Sequence, residues 1–263
     1  MIGKWTLRFV GLGYLALLLL IPAWLLIWNT FASGLSPVLS ALTTADALHA
    51  LWLSLVIAAI AVPLNTVFGV LCAILLVRRS FPGKTLLNAV LAVPLGVSPV
   101  VVGLALILVY GQFGWFGSWF QQHGVQIIFA LPGMVLATVF VSLPFVAREV
   151  IPVLQEIGTE QEEASRTLGA STWQTFLRIT LPSIRGGIGY GVVLGTARAL
   201  GEFGAVSVVS GRLVGVTQTL PLYVQDRFEA FDYPAAYSAS LVLALLAMAT
   251  LVTMNLLKPK EHR

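Results

Sequence analysis

Long apolar runs separated by shorter polar segments make up most of the chain. A helix that crosses a bilayer needs roughly 20 predominantly apolar residues. Runs of this kind lie at about 9–31, 50–77, 86–110, 127–147, 186–209 and 236–257. The pattern predicts an all-α integral membrane protein with about six transmembrane helices. Because no long linker or low-complexity tract divides the runs, we expect a single domain over residues 1–263.

The composition favours the same class. Of the 263 residues, 58% are hydrophobic and 10% are charged, whereas soluble domains carry about 25% charged residues. Eleven acidic and fifteen basic residues are too few to cover a soluble protein of this size. We therefore expect membrane lipid to surround most of the chain.

The basic residues are distributed unevenly between the two sides of the predicted bundle. Two of the fifteen, Arg212 and Arg227, fall on one side, and Arg198 lies within the fifth run. The other twelve fall on the opposite side: Lys4, Arg8, Arg78, Arg79, Lys84, Arg148, Arg166, Arg178, Arg185, Lys258, Lys260 and Arg263. Because Lys and Arg concentrate on the cytoplasmic side of membrane proteins, we expect both termini to be cytoplasmic.

A cleaved signal peptide is the alternative interpretation of the first run. Lys4 and Arg8 precede it, and the small residues Ala32 and Ser33 follow it. The run from Phe9 onward is longer than the roughly 7–15 apolar residues of a signal peptide. Its length favours a retained helix.

Residues that usually bind metals or nucleic acids are sparse. Cys72 is the single cysteine, so the chain has no disulfide framework. His49, His123 and His262 stand apart and show no metal-ligand spacing. The basic residues form no patch interleaved with aromatic residues, so we expect no metal site and no nucleic-acid partner.

The polar segment between the fourth and fifth runs, at about 148–185, is longer than a hairpin requires. Thr159 and Glu162 have the spacing of a capping box, which predicts a helix that begins at Glu160. Gly169 lies where a left-handed residue would end this helix. Four residues, Ser171 to Gln174, repeat the capping-box spacing and predict a second helix, which Pro182 would close.

These two helices would expose apolar side chains. Trp173, Phe176 and Leu177 are expected near the surface of the segment. One interpretation is a docking surface for a protein partner. The alternative is an amphipathic elbow whose aromatic side chains rest on lipid headgroups.

The same segment resembles the coupling loop of the permeases of ATP-binding-cassette (ABC) importers, which spans about 151–185 here. The resemblance is carried by seven residues at the spacing of that signature: Glu163, Ala164, Ser165, Gly169, Ile179, Leu181 and Pro182. Ser165 is the one departure, since the signature has alanine there. The resemblance implies the type I importer permease fold, with two coupling helices that dock into a groove on a cytoplasmic ATPase.

The resemblance implies that Glu163 makes polar contacts with the ATPase and that Ala164 and Ser165 allow the ATPase to approach closely. It also implies that Gly169 makes the turn between the two coupling helices. The sequence alone offers simpler roles for two of them. Glu163 is also a first-turn acid that complements the helix dipole, and Gly169 is also an ordinary helix end.

The chain has no ATP site of its own. Gly83, Lys84 and Thr85 resemble the end of a phosphate-binding loop, but Arg78 stands where the first glycine of that motif is required. We therefore expect no cofactor in this chain and no enzymatic activity, with ATP and Mg²⁺ bound by a partner ATPase.

The fifth run contains a pair of charges. Arg198 and Glu202 are spaced i, i+4, so they can pair on one helix face. Charges at this depth must face protein or a water-filled cavity. The pair is therefore either a translocation path or gate site, or a structural ion pair between helices.

A second resemblance concerns the substrate. The segments 197–206 and 217–221 resemble a region shared by sulfate and molybdate permeases, whereas 96–106, 110–117 and 126–150, together with 207–211, resemble the W-type subunit of sulfate/thiosulfate permeases. This implies a bacterial inner-membrane importer of sulfate or thiosulfate. The implied partners are a homologous T-type permease subunit, a dimer of cytoplasmic ABC ATPases and an extracytoplasmic sulfate-binding protein.

Three other functions are alternatives for this sequence. A molybdate or tungstate ABC permease is the nearest alternative. An ion-coupled secondary transporter would use Arg198 and Glu202 but needs no docking loop. An intramembrane enzyme is disfavoured, because the sequence has neither a Gly-x-Ser-x-Gly elbow nor an HExxH motif.

Overall fold

A computed structural model describes residues 2–32 and 34–257 of the chain. Within these ranges the secondary structure is helical throughout, with no strand. Ser33, Lys258, Lys260, His262 and Arg263 lie outside the described residues.

Helices α1 to α13 and one π-helical turn follow one another along the chain. The bounds are α1 Ile2–Phe31, α2 Leu35–Leu42, α3 Ala45–Arg78, α4 Lys84–Gly96, α5 Pro99–Tyr110, α6 Gly117–Gln122, α7 Leu131–Glu156, α8 Glu160–Thr167, α9 Thr172–Thr175, the π turn Phe176–Thr180, α10 Leu181–Leu200, α11 Gly204–Val209, α12 Leu220–Glu229 and α13 Tyr233–Leu257.

Four of the described helices, α1, α3, α7 and α13, are long and apolar enough to cross a membrane. Helices α4 and α5 together would make a fifth, but they meet at an angle of 114°. The single helix predicted over 86–110 is therefore broken into two at 97–98. The cause is local, because Pro99 disfavours helical geometry at Ser98, and Val97 and Ser98 adopt extended backbone angles.

The prediction of one helix over 186–209 is also wrong in detail. Helix α10 begins earlier, at Leu181, and ends at Leu200, and the short α11 follows after residues 201–203. Pro182 does not close the second coupling helix as predicted. It lies in the first turn of α10, and the π turn that joins α9 to α10 has helical backbone angles at both ends, so the chain continues as a helix past the proline.

Helices α3, α7 and α10 pack together at the centre of the bundle. Val146 of α7 lies between a glycine on each neighbour: a Cβ added at Gly69 of α3 would be 2.8 Å from the Val146 Cβ, and one added at Gly191 of α10 would be 2.7 Å from the Val146 Cα. Without side chains at these two positions, the three backbones approach closely, as small residues permit in membrane bundles.

Side chains on either side of this crossing complete the core. Asn65 of α3 donates to the Ser142 hydroxyl at 2.8 Å and to the Val139 carbonyl at 3.1 Å, both on α7. One apolar cluster lies beyond the crossing toward the ends of α3 and α7, and contains Val70, Ala73, Val146, Val150, Leu154 and Ile184. A larger one joins the first halves of α3 and α7 to α5, α11 and α12.

The crossing also fixes helix directions. Rising residue numbers in α3 contact rising numbers in α7, as the Asn65–Ser142 and Gly69–Val146 contacts show, so these helices are parallel. Gly187 faces Glu149, whereas Gly191 faces Val146, so α10 is antiparallel to α7. The ends of α3 and α7 and the start of α10 therefore meet at one end of the bundle. Helix α1, by contrast, lies at the edge with its side chains from Phe9 onward largely exposed.

The close crossing predicts opposite effects for two equivalent substitutions on α10. We expect Gly191→Ala to lower the melting temperature of the chain in detergent, because the new methyl group overlaps Val146, and overpacking costs about 1–3 kcal/mol. Gly195→Ala is the matched control, since a Cβ there meets no atom within 4 Å. It should leave the melting temperature unchanged or raise it, because alanine is favoured over glycine in helices by about 0.5–1 kcal/mol. Equal melting temperatures would contradict the close crossing.

Candidate coupling site

The segment between α7 and α10 forms a compact helical loop at one end of the bundle. Helix α7 ends at Glu156, and Gly158, with φ 62°, turns the chain into α8. Helix α8 begins at Glu160, as predicted, and Gly169 adopts the predicted left-handed conformation with φ 86°. These angles favour glycine, because a side chain is strained there.

Only the second of the two predicted capping boxes forms. The Gln174 N–H donates to Ser171 Oγ at 3.3 Å, and the Ser171 N–H donates to Gln174 Oε1 at 2.9 Å. Together the two hydrogen bonds fix the start of α9. This prediction is confirmed.

The first predicted capping box is wrong. The Thr159 side chain makes no capping hydrogen bond, and the Glu162 side chain does not return to the helix start. Glu162 turns inward instead, where its Oε1 accepts from Arg78 Nε at 3.1 Å and from Thr180 Oγ1 at 2.9 Å. A cation and a hydroxyl compete successfully for a carboxylate that a backbone N–H would otherwise bind.

The seven signature residues separate into two groups. Glu163, Ala164 and Gly169 are exposed, and Ser165 is half-buried with its hydroxyl 3.1 Å from Thr175 Oγ1, a contact that links α8 to α9. The remaining three lie where the π turn passes into α10: Ile179 and Leu181 are half-buried, and Pro182 is exposed.

Exposed apolar side chains surround the first group. Leu168 is 88% exposed, Trp173 66% and Leu177 42%, while Phe176 is half-buried against Trp173 with 5.6 Å between ring centroids. Trp173 and Phe176 line a cavity of about 530 Å³, and Glu162 belongs to its polar lining. Apolar side chains beside an exposed acid suit contact with another macromolecule.

The Arg198–Glu202 pair forms in the structure. Arg198 Nη1 lies 2.7 Å from Glu202 Oε2. The Glu202 side chain is 1% exposed and the Arg198 side chain 30% exposed. Glu202 Oε1 also accepts from the Ala205 N–H at 2.8 Å, so the carboxylate caps α11 after the break. Sequence spacing predicted the pair but not the cap.

Arg78 and Thr180 were absent from the predicted site, and Glu162 was assigned only a capping role. Arg78 counted in the sequence only as a marker of topology. Its partners lie 76 to 84 residues away along the chain, so local spacing gave no signal for them. No group of three or more His, Cys, Asp or Glu side chains in the described part of the chain is arranged to hold a metal ion.

Comparison with known proteins identifies the family of this chain. Residues 65–262 match the family model described as "Binding-protein-dependent transport system inner membrane component". The sulfate transport system permease protein CysW of Synechocystis sp. PCC 6803 is 52% identical over 257 residues, 98% of this chain and 93% of that protein. The sulfate transport system permease protein CysT of Escherichia coli K12 is 34% identical over 253 residues, 96% of this chain and 91% of that protein.

Solved structures show the same fold. A bacterial ABC transporter that imports the acidic polysaccharide alginate superposes with a TM-score of 0.81 at 15% identity, over 97% of this chain and 94% of that one. The alginate transporter in complex with its pentasaccharide-bound periplasmic protein gives a TM-score of 0.75 at 16% identity, over 97% and 93%. The chain has the fold of ABC importer permeases, and it belongs to the family of binding-protein-dependent transport system inner membrane components.

Proposed function

We propose that the chain is the permease subunit of an ATP-driven importer that moves sulfate or thiosulfate into the cytoplasm. The observation that carries the substrate class is the 52% identity to a sulfate permease over nearly the whole chain. The exposed α8–α9 loop supports the ATP-driven class, because a transporter that hydrolyses no ATP itself needs a surface on which an ATPase can act.

The exposed signature residues form the surface proposed for ATPase docking. Glu163 projects from α8 as an exposed carboxylate, and Ala164 and Gly169 carry no side chain that would keep a partner at a distance. Trp173 and Leu177 supply apolar area of the kind that anchors protein interfaces. The other three signature residues, Ile179, Leu181 and Pro182, lie where the π turn passes into α10.

The partners follow from the same proposal. A dimer of cytoplasmic ATPases would bind ATP and Mg²⁺, so this chain needs no cofactor. The 34% identity to a T-type permease supports pairing with a homologous subunit. An alginate transporter of this fold has been captured with a periplasmic protein, which supports delivery of the anion by an extracytoplasmic binding protein.

The orientation proposed is multi-pass in the bacterial inner membrane with both termini cytoplasmic. The parallel α3 and α7 place Arg78 and the loop from 157 to 180 at one end of the bundle. At the other end Arg227 lies 3.3 Å from Asp46 and so has an acidic partner. We call the end of the bundle that carries this loop the coupling end. An excess of basic charge at the coupling end is what the positive-inside rule requires of a cytoplasmic face.

Arg198 is the residue proposed to meet the passing anion. Its side chain is 30% exposed, whereas the side chain of its partner Glu202 is 1% exposed and is held by the start of α11. The buried carboxylate orients the arginine and cancels much of its charge. A weakened cation suits a path that must release a dianion rather than retain it.

The whole assembly provides the first test. We expect radiolabelled sulfate uptake into vesicles that contain this chain, its ATPase, a T-type subunit and the binding protein to require ATP. Unlabelled thiosulfate should compete and molybdate should not. Competition by molybdate instead would assign a molybdate or tungstate permease, and uptake without ATP hydrolysis would assign a secondary transporter.

A second test concerns the docking surface. Loss of a hydrogen bond to a charged group costs about 1.5–3 kcal/mol, so we expect Glu163→Gln to weaken ATPase binding by on the order of tenfold. Gly169→Val should do the same, because a β-branched residue is strained at φ 86°. Both variants should still insert into the membrane. Co-purification of the ATPase measures the effect.

The control for Glu163→Gln is Glu160→Gln, an equally exposed acid in the same first turn. It should bind the ATPase as the unmodified chain does. If the two glutamine variants bound the ATPase equally well, the role of Glu163 would be to stabilise α8 through the helix dipole rather than to make a specific contact with the ATPase.

A third test separates the two roles of the charged pair. Arg198→Gln alone would leave Glu202 buried without its counter-ion, so the neutral double variant Arg198→Gln/Glu202→Gln is the informative one. It keeps an oxygen that can cap α11 and should melt close to the unmodified protein. We expect its sulfate KM to rise, because the path has lost its cation. An unchanged KM would assign the pair a purely structural role.

A further inference from the structure

Arg78, the last residue of α3, joins three parts of the chain through separate nitrogens. Its Nε donates to Glu162 Oε1 at 3.1 Å, its Nη1 to the Leu154 carbonyl at 2.9 Å and its Nη2 to the Gly158 carbonyl at 2.6 Å. Leu154 lies in the last turn of α7, where carbonyls lack intrahelical partners. Arg78 therefore attaches the end of α3 to the end of α7 and to the turn that follows.

Glu162 extends the same set of contacts to two further elements. It belongs to α8, and its Oε1 accepts a second hydrogen bond from the Thr180 hydroxyl at 2.9 Å. Thr180 is the last residue of the π turn and directly precedes α10. One carboxylate oxygen thus connects α8 to the end of α3 and to the start of α10.

Apolar packing does not provide this connection for α8. The helix reads Glu-Gln-Glu-Glu-Ala-Ser-Arg-Thr, and no residue of it belongs to the apolar core clusters formed by the described residues. Within residues 2–32 and 34–257, its only ion pair is Arg78–Glu162. The position of α8 relative to the long helices therefore depends on this buried polar contact, together with the Ser165–Thr175 hydroxyl contact to α9.

The pair is buried whereas the docking surface is exposed, and the two adjoin at the cavity that Arg78, Glu162 and Thr180 line together with Glu163 and Trp173. The side chains of Arg78 and Glu162 are 10% and 9% exposed, and Thr180 is 5% exposed. Glu163, the next residue along α8, is exposed. Glu163 is therefore free to face solvent, whereas the Glu162 carboxylate is bound within the chain by Arg78 and Thr180.

We propose that Arg78, Glu162 and Thr180 form the linkage that transmits movement of α8 to α3, α7 and α10. The inference rests on the proposed function and adds positioning residues that the coupling signature does not contain. Separating a buried charge from its counter-ion is strongly unfavourable. A displacement of α8 by the ATPase therefore moves the ends of the long helices with it instead of breaking the contact.

Three substitutions test the linkage in the reconstituted importer. Arg78→Gln and Glu162→Gln remove the ion pair. Thr180→Val removes one hydrogen bond at nearly constant shape. The controls are Arg79→Gln and Glu160→Gln, which remove exposed charges next to the linkage.

We expect all three linkage variants to co-purify with the ATPase within about twofold of the unmodified chain, since the docking surface is intact. Sulfate transported per ATP hydrolysed should fall on the order of tenfold for the two charge variants and less for Thr180→Val. Thr180→Ser keeps the hydroxyl and should therefore transport as much sulfate per ATP hydrolysed as the unmodified chain. The controls should match the unmodified chain.

Hydrogen exchange supplies a readout that needs no transport. In the isolated chain in detergent, the amides of 160–167 should exchange faster in Glu162→Gln and Thr180→Val but not in Glu160→Gln or Thr180→Ser. If a charge variant fails to insert, the Thr180 pair still decides, because its two members differ by one hydroxyl.

Several outcomes would overturn the linkage. One is a Thr180→Val variant that transports as much sulfate per ATP hydrolysed as the unmodified chain and whose amides at 160–167 exchange at an unchanged rate. Another is a loss of ATPase binding that accounts for the whole loss of uptake, which would make the pair part of the docking surface. If the unmodified assembly shows no ATP-dependent uptake, the proposed function fails, and the exchange measurement still tests whether the three side chains hold α8.

Discussion

The rest of the structure depends on one crossing, where Val146 of α7 lies between Gly69 of α3 and Gly191 of α10. In lipid the hydrophobic effect gives helices little reason to associate, so close van der Waals contact and buried hydrogen bonds must hold them together. Two residues without side chains make that contact possible. The Asn65–Ser142 hydrogen bond then fixes the register of α3 against α7.

That register determines what meets at the coupling end. With α3 and α7 parallel and locked near Val146, Arg78 arrives beside the carbonyls at the end of α7. The cation satisfies groups that would otherwise lack partners and opposes the negative end of the helix dipole. Glu162 turns inward toward this cation and the Thr180 hydroxyl, so the orientation of α8 follows from packing some distance away in the bundle.

The sequence predicted features that depend on near neighbours. The start of α8 at Glu160, the left-handed Gly169, the Ser171 capping box and the Arg198–Glu202 pair all arise within four residues along the chain. The inward turn of Glu162 could not be predicted this way, because its partner is 84 residues distant. The break before Pro99 did have a local signal, but a continuous apolar run concealed it.

The two candidate sites lie toward opposite ends of α10. Thr180 precedes its first residue and Arg198 lies in its last turn, about 27 Å apart at 1.5 Å per residue. After Pro182 in its first turn the helix contains no further proline, whereas α3 and α7 both contain interior prolines. The backbone of α10 therefore runs from one site to the other without a proline break. At its far end the Glu202 carboxylate caps α11, so a shift that enters through Thr180 displaces both the arginine and the short helix beside it.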